Sequence, residues 1–351
     1  MSDFNLQLPS DFDAKLNKNI LLTGAGFSKD FGALLADEIS TRLFNSKEIT
    51  SSIKNKIAHS KNSNYEEIYN LITDEEKDIY EGLLLAIFKE IDLAMQSKVR
   101  KSNIEYLIKL FYRVDCYNFI FTLNQDLLIE RYCLDQGAKN QGQFKTNEEI
   151  KENLDSIISS SFPYTNYSLP DVVKHKNNGN DSILGVGNYS FDDFIQVIKF
   201  EKDSYPRLGF NSYFKIHGSS NWGHSEGSNM LITGKNKQQF LVKFKVLECS
   251  LAVFERVLNT ADLKIVIIGY SFTDLHINRI LLGAIKMNAK LFIIDPRKFD
   301  DFKKLEIDFS DGGDDVMSVF IDAIENYFPL TLAEFLLKKD GYLDTLRQQL
   351  S

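Results

Sequence analysis

Cysteine is nearly absent. The 351 residues hold three, Cys116, Cys133 and Cys249, far apart from one another. That spacing builds neither a disulfide framework nor a paired-thiolate zinc module, and it suits a reducing cytoplasm. An excess of positive charge is missing too. Lys and Arg number 41 against 49 Asp and Glu, a formal net charge of −8. A bulk electrostatic grip on nucleic acid or anionic lipid is therefore not expected, and neither is counted as a direct partner. No apolar run approaches the ~18 residues of a membrane span. The opening MSDFNLQLPSDFDAKLNKN is acidic and polar, unlike a secretory signal, so a cytoplasmic location is expected. Internal repeats and low-complexity tracts are also missing.

What is present is ordinary for a folded chain. Hydrophobic residues make up 43% and charged residues 26%, which excludes wholesale disorder. The length allows about two domains, or one large α/β domain with insertions.

Short apolar runs closed by polar or glycine clusters recur. NILLT (Asn19–Thr23) ends in Gly24-Ala25-Gly26, and YNFIFT (Tyr117–Thr122) ends in Leu123-Asn124-Gln125-Asp126. A strand over Ser212–Ile216 ends in His217-Gly218. LKIVII (Leu263–Ile268) ends in Gly269-Tyr270-Ser271, and Lys290–Ile294 ends in Asp295-Pro296. These read as buried strands. Helical spacing fills Phe31–Phe44, most of residues 64–113, Leu127–Leu134, part of 241–260 after a short strand, and a stretch starting near Asp274. A short helix is expected around Glu148–Ile158. Two closing helices are expected, VFIDAIENYF and LTLAEFLLKKDGYLDTLRQQL. Strands alternating with helices predict a parallel sheet covered on both faces, in an unstated strand order.

In such sheets ligands bind beyond the carboxyl ends of the strands, so the five clusters are expected to share one site. Gly24-Ala25-Gly26 opens a helix, where glycines admit a tight turn and the helix N-terminus favours an anion. Lys29 stands where a third glycine of the dinucleotide pattern would fall, so a plain strand-to-helix turn remains an equal reading. Asn124 can donate and accept at once, holding a water and a ribose hydroxyl; Asp126 is the better helix cap. His217 can relay a proton near neutral pH. Ser271 can donate to a phosphate or ribose oxygen. Asp274 reads as the cap of the helix that follows. Asp295 can accept from a ribose diol or close a turn before Pro296. His224 is a candidate supporting residue; His59, His175 and His276 read as surface or core.

Together these segments resemble the sirtuin family, and within it the bacterial sirtuin-like domains of anti-phage defence systems. TGAGFS (Thr23–Ser28) is similar to the family's nucleotide loop, and TLNQD (Thr122–Asp126) to its Thr-x-Asn-x-Asp motif. KIHGSSNW (Lys215–Trp222) is similar to the His-Gly motif, and GYSFTDLHIN (Gly269–Asn278) to the defence-branch form of the Gly-Thr-Ser loop. The resemblance implies an α/β fold, a Rossmann-like parallel sheet with helices on both faces plus helical insertions. That domain would cover residues 1–300, with a helical insertion at about 45–113 and an irregular one at about 135–210, followed by C-terminal helices over 301–351. It implies NAD as substrate. Asn124 and His217 would be the pair that cleaves the nicotinamide–ribose bond. Thr23, Gly24, Ala25, Gly26, Ser28 and Asp126 would line the phosphates and ribose, and Gly269, Ser271 and Asp295 the adenosine side.

Two features of protein-deacylating sirtuins are missing. Three scattered cysteines cannot form their zinc module, so no metal is expected. Their Gly-Ile-Pro-Asp-Phe-Arg segment is replaced by KDFGALLADEISTRLF. The resemblance therefore implies an NAD hydrolase that depletes NAD in abortive infection. Its off state would depend on self-assembly into a homo-oligomer or on a separately encoded partner (a HerA-type ATPase, a short Argonaute or a nucleotide-handling subunit). The alternatives are a non-catalytic subunit that binds NAD or ADP-ribose, and an NAD-dependent deacylase.

Overall fold

The computed structural model describes residues 18–59, 65–98, 117–126, 128–129, 174–176, 182–186, 210–224, 229–231, 237, 245–305, 307, 309, 316–337 and 341–350. The expected helix around 148–158 lies outside them, as do most of the expected helix 127–134 and most of the 135–210 insertion.

Six parallel strands form the main sheet: β1 (Asn19–Thr23), β2 (Tyr117–Thr122), β5 (Phe210–Lys215), β8 (Lys264–Ile268), β9 (Lys290–Ile294) and β10 (Ile324–Phe328). Their spatial order is β10-β9-β8-β1-β2-β5. Counting only these six in chain order gives 6-5-4-1-2-3, the strand order of the doubly wound dinucleotide-binding fold. The switch point, where successive strands begin to run the other way, falls between β1 and β8.

The central strands β1, β8 and β9 are largely apolar because both their faces are covered. Leu21, Ile120, Val266, Ile268, Phe292 and Ile294 share one core with helices α2 (Ala36–Asn45), α3 (Ser51–His59), α4 (Tyr65–Tyr69) and α5 (Asp74–Lys98). Their neighbours Ile20, Leu22, Phe119, Phe121, Ile265 and Ile267 face the other core, with α6 (Lys245–Leu258) and α7 (Leu275–Lys286). The α/β, two-faced reading of the sequence holds.

Several local expectations fail, for identifiable reasons. The helix expected over Phe31–Phe44 begins only at Ala36; a five-residue helix α1 (Ala25–Lys29) precedes it, and Gly32 at φ +110 breaks the path between them. The C-terminal segment is not all helix. VFIDAIENYF divides into α9 (Val316–Asp322) and the edge strand β10; α8 (Phe299–Phe302) precedes them. The aromatic and β-branched side chains of Ile324–Phe328 suit a pleated edge better than a helix. The last expected helix is likewise two, α10 (Leu332–Leu337) and α11 (Tyr342–Leu350), with Gly341 at φ +73 before the second.

A second sheet was not expected at all. β3 (Lys174–Lys176), β4 (Ser182–Val186), β6 (Gly218–His224) and β7 (Asn229–Leu231) lie in the order β3-β4-β6-β7. The HGSSNW segment, read as a polar strand end, is thus a link between sheets. Gly218 turns the chain at φ +79 directly after His217.

The glycine turns carry the tightest packing. A Cβ on Gly24 would lie 2.7 Å from the Gly269 carbonyl oxygen, and one on Gly26 would lie 2.8 Å from the Gly269 Cα. Gly269 itself sits at φ +63, and its Cβ would meet the Phe27 nitrogen at 2.3 Å. Gly269→Ala is expected to destabilise the fold by more than about 2 kcal/mol. Gly82→Ala, on the exposed face of α5 with open space around it, is expected to stabilise by about 0.5–1 kcal/mol. Chemical denaturation of the two variants checks both signs.

Candidate active site

The carboxyl ends of β1, β2, β5, β8 and β9 open onto a cavity of about 800 Å³. Gly24, Ala25, Gly26, Asn124, Asp126, His217, Gly269, Ser271 and Asp295 all line it. Thr23 and Ser28 do not; both are fully buried behind it.

Those two residues act on the cavity through Asn124. The Thr23 hydroxyl donates to the Thr122 hydroxyl at 2.8 Å, and Thr122 Oγ1 accepts the Asn124 backbone N–H at 3.1 Å. The Asn124 side-chain Nδ2 donates to Ser28 Oγ at 3.0 Å. The amide is therefore held by β1, α1 and the end of β2 together. Its Oδ1, the acceptor end, meets no donor among the described residues.

The glycine loop departs from the expected anion cradle. The Gly24 N–H donates to Ile268 O at 2.9 Å and the Gly26 N–H to Gly269 O at 2.9 Å. These donors stitch the turn after β1 to the turn after β8 and are not offered to a phosphate. Here the glycines serve close backbone approach.

His217 is 3% exposed, and its Nε2 lies 3.1 Å from Nε2 of His276. Beside the pair runs a buried ionic row. Lys237 Nζ contacts Asp274 Oδ1 at 2.6 Å and Glu66 Oε1 at 2.8 Å. Burial, reinforced by the Lys237 ammonium, holds His217 well below the usual imidazole range. Burial brings His276 down to about 4 against the pull of Asp274, and Lys237 adds to the depression. Burial works against the charge on Lys237, but Asp274 and Glu66 keep its pKa above the ordinary value. Burial raises Glu66, and Lys237 only partly offsets it. Both imidazoles are therefore pushed toward the neutral form, with their Nε2 atoms at hydrogen-bond distance.

Donor atoms of His217, Asp274 and His276 lie within 4.8 Å of one another. The lysine ammonium occupies the carboxylate and the two Nε2 atoms occupy each other. The cluster is thus arranged for sharing protons.

Asp274 departs from its expected role. It stands at the N-cap position of α7 but makes no side-chain cap; its carboxylate goes to Lys237. Asp126 does behave as a cap, its Oδ1 accepting the Leu128 N–H at 3.0 Å. Asp295 is already engaged: Oδ1 accepts from the Arg297 N–H (2.9 Å) and Nε (2.8 Å), and Oδ2 from Nη2 (2.6 Å). Ser271 pairs its hydroxyl with Thr273 at 2.8 Å.

Residues missed from sequence are His276, Lys237, Glu66, Arg297 and Gln125, whose Nε2 donates to the His217 carbonyl at 3.2 Å. His276 and Asp274 sit within GYSFTDLHIN, so proximity to a strand end was a usable signal. Lys237 and Glu66 lie far from any strand end of the main sheet and had none.

A family model described as a SIR2-like domain matches residues 118–308, more than half of the chain. No curated protein matches it.

The neutral imidazoles give a stability signature. The unfolded chain titrates its histidines near 6.5, whereas His276 in the fold does so near 4. Between these values the unfolded state binds more protons, so stability falls as pH falls across that window. His276→Gln is expected to flatten the slope by up to about 1.4 kcal/mol per pH unit, measured by urea unfolding at stepped pH.

Proposed function

The chain belongs to the SIR2-like family, and from that premise we propose that it is an NAD hydrolase, releasing nicotinamide and ADP-ribose. The observation that carries the reading is that Asn124 and His217 line one cavity beside the glycine turn of a dinucleotide-ordered sheet.

The cavity suits the substrate in size and lining. From Asp295 at β9 to His217 beyond β5 it crosses four interstrand spacings, about 19 Å. That span fits an extended dinucleotide better than a single nucleoside. Leu34, Leu35, Ile39, Phe88 and Ile91 supply an apolar wall.

The chemistry follows from charge. The C1′–N bond breaks with its electron pair going to the nicotinamide nitrogen, so positive charge develops on the ribose. A water oxygen then bonds to C1′, and one proton is released. Asn124, with its Nδ2 tied to Ser28, offers Oδ1 to orient that water. His217 is neutral, so it adds no charge against the developing cation and can accept a hydrogen bond or proton from a ribose hydroxyl. No step uses an acylated peptide.

Uncontrolled NAD loss is lethal to a host. The defence-branch resemblance therefore supports an abortive-infection effector held off until a homo-oligomer or a partner (a HerA-type ATPase, a short Argonaute or a nucleotide-handling subunit) releases it. Chromatography of NAD incubated with the protein, alone and with each class of partner, tests the reaction. Wild type is expected to release nicotinamide. Asn124→Ala and His217→Ala are each expected to lose about 100-fold or more in turnover. Full activity in both variants refutes the assignment.

A further inference from the structure

The hydrolase reading leaves one contact unused. His217, its base, spends Nε2 on His276 at 3.1 Å, with the rings 5.2 Å apart and tilted by 45°. Two neutral imidazoles in this contact hold one proton between two nitrogens: one ring donates and the other accepts. We propose that His276 is the positioning partner and second proton carrier of His217, forming a two-histidine relay with Asp274 as its anchor. The inference rests on the hydrolase reading and deepens it.

The step balances. As nicotinamide leaves, the hydroxyl proton from ribose or the attacking water passes to the free ring nitrogen of His217. The His217 Nε2 proton crosses to His276 Nε2. No electrons change hands, and the imidazolium ends on His276 instead of His217. That displacement matters because the ribose is itself becoming cationic. A positive His217, which lines the cavity, would oppose it; on His276, which does not line it, the charge stands one ring further back, and the Asp274 carboxylate favours protonation of both rings.

The surroundings are consistent from every packed side. Asp274 precedes α7, which carries His276, and Lys237 approaches from the stretch before α6. From α4, Glu66 meets Lys237, and Tyr65 Oη lies 3.4 Å from Glu66 Oε1. Tyr270 hydrogen-bonds Asn278 at 2.9 Å and the Asp274 carbonyl at 3.2 Å, closing the cluster. Burial, and after it Lys237, disfavours protonation of both imidazoles, and Asp274 favours a proton arriving on the pair.

His276→Gln separates relay from support, since glutamine can hydrogen-bond to His217 Nε2 but cannot carry the proton. The expected result is a fall in kcat of about 100-fold with KM for NAD within about twofold. Above neutral pH, where His276 is uncharged in both the folded and the unfolded chain, ADP-ribose affinity and thermal midpoint should match wild type, and added imidazole should restore turnover to His276→Ala. Glutamine that keeps kcat within threefold overturns the relay while leaving the hydrolase standing. So does loss of ADP-ribose binding along with turnover. Nitrogen-15 NMR of the histidines provides a readout independent of activity. One proton shared across the pair, with the His276 signal changing tautomer in His217→Ala, supports the contact. Two rings titrating separately near 6.5 overturn it. Absence of nicotinamide release from wild type with every partner defeats the hydrolase reading instead.

Discussion

Gly269 lies so close to the turn after β1 that one added methyl group would fall 2.3 Å from a backbone nitrogen. The rest of the site depends on that crossing. The turns after β1 and β8 diverge at the switch point of the sheet, and two backbone hydrogen bonds, Gly24 N–H to Ile268 O and Gly26 N–H to Gly269 O, bind them there. The first turn leads to Ser28, which holds Asn124. The second leads to Asp274 and His276, which hold Lys237 and His217. One steric constraint thus sets the relative position of the amide and the imidazoles. The glycine pattern that reads as a phosphate loop has a prior duty in backbone packing.

The buried charges form a second layer. Lys237 between Asp274 and Glu66 would be costly alone, since each ion loses its water. Arranged together they satisfy one another, while burial, with Lys237 adding to it and Asp274 opposing it, disfavours the charged form of both histidines. An active site facing a developing cation gains from neutral bases, and here neutrality is enforced by burial and by an ammonium group that need not touch substrate.

Much of this was legible in the sequence. Five strand ends proved to share one cavity because a parallel sheet with both faces covered delivers every carboxyl end to the same edge. Nine of the eleven proposed site residues line that cavity; Thr23 and Ser28 stand one layer behind, because a hydroxyl next to a strand end can serve a neighbouring side chain as readily as a ligand. Other features were hidden. Ile324–Phe328 carries apolar residues compatible with either period, and only a free sheet edge decides for a strand. The second sheet assembles segments separated by long connections, which local pattern cannot pair. Lys237 gains its meaning from Glu66, 171 positions earlier in the chain, and no spacing rule announces that meeting.

The strand order has a further consequence for how the chain reaches this state. β1 is made long before one of its two neighbours, β8, which begins at Lys264. Until that segment has emerged from the ribosome, one edge of an entirely buried strand has no partner. Closing the gap joins residues some 245 positions apart, a loop whose entropic cost must be met before the pairing repays it. Nascent chains are thus exposed to misassociation while that whole stretch is made, and the glycine crossing can form only after β8 has emerged.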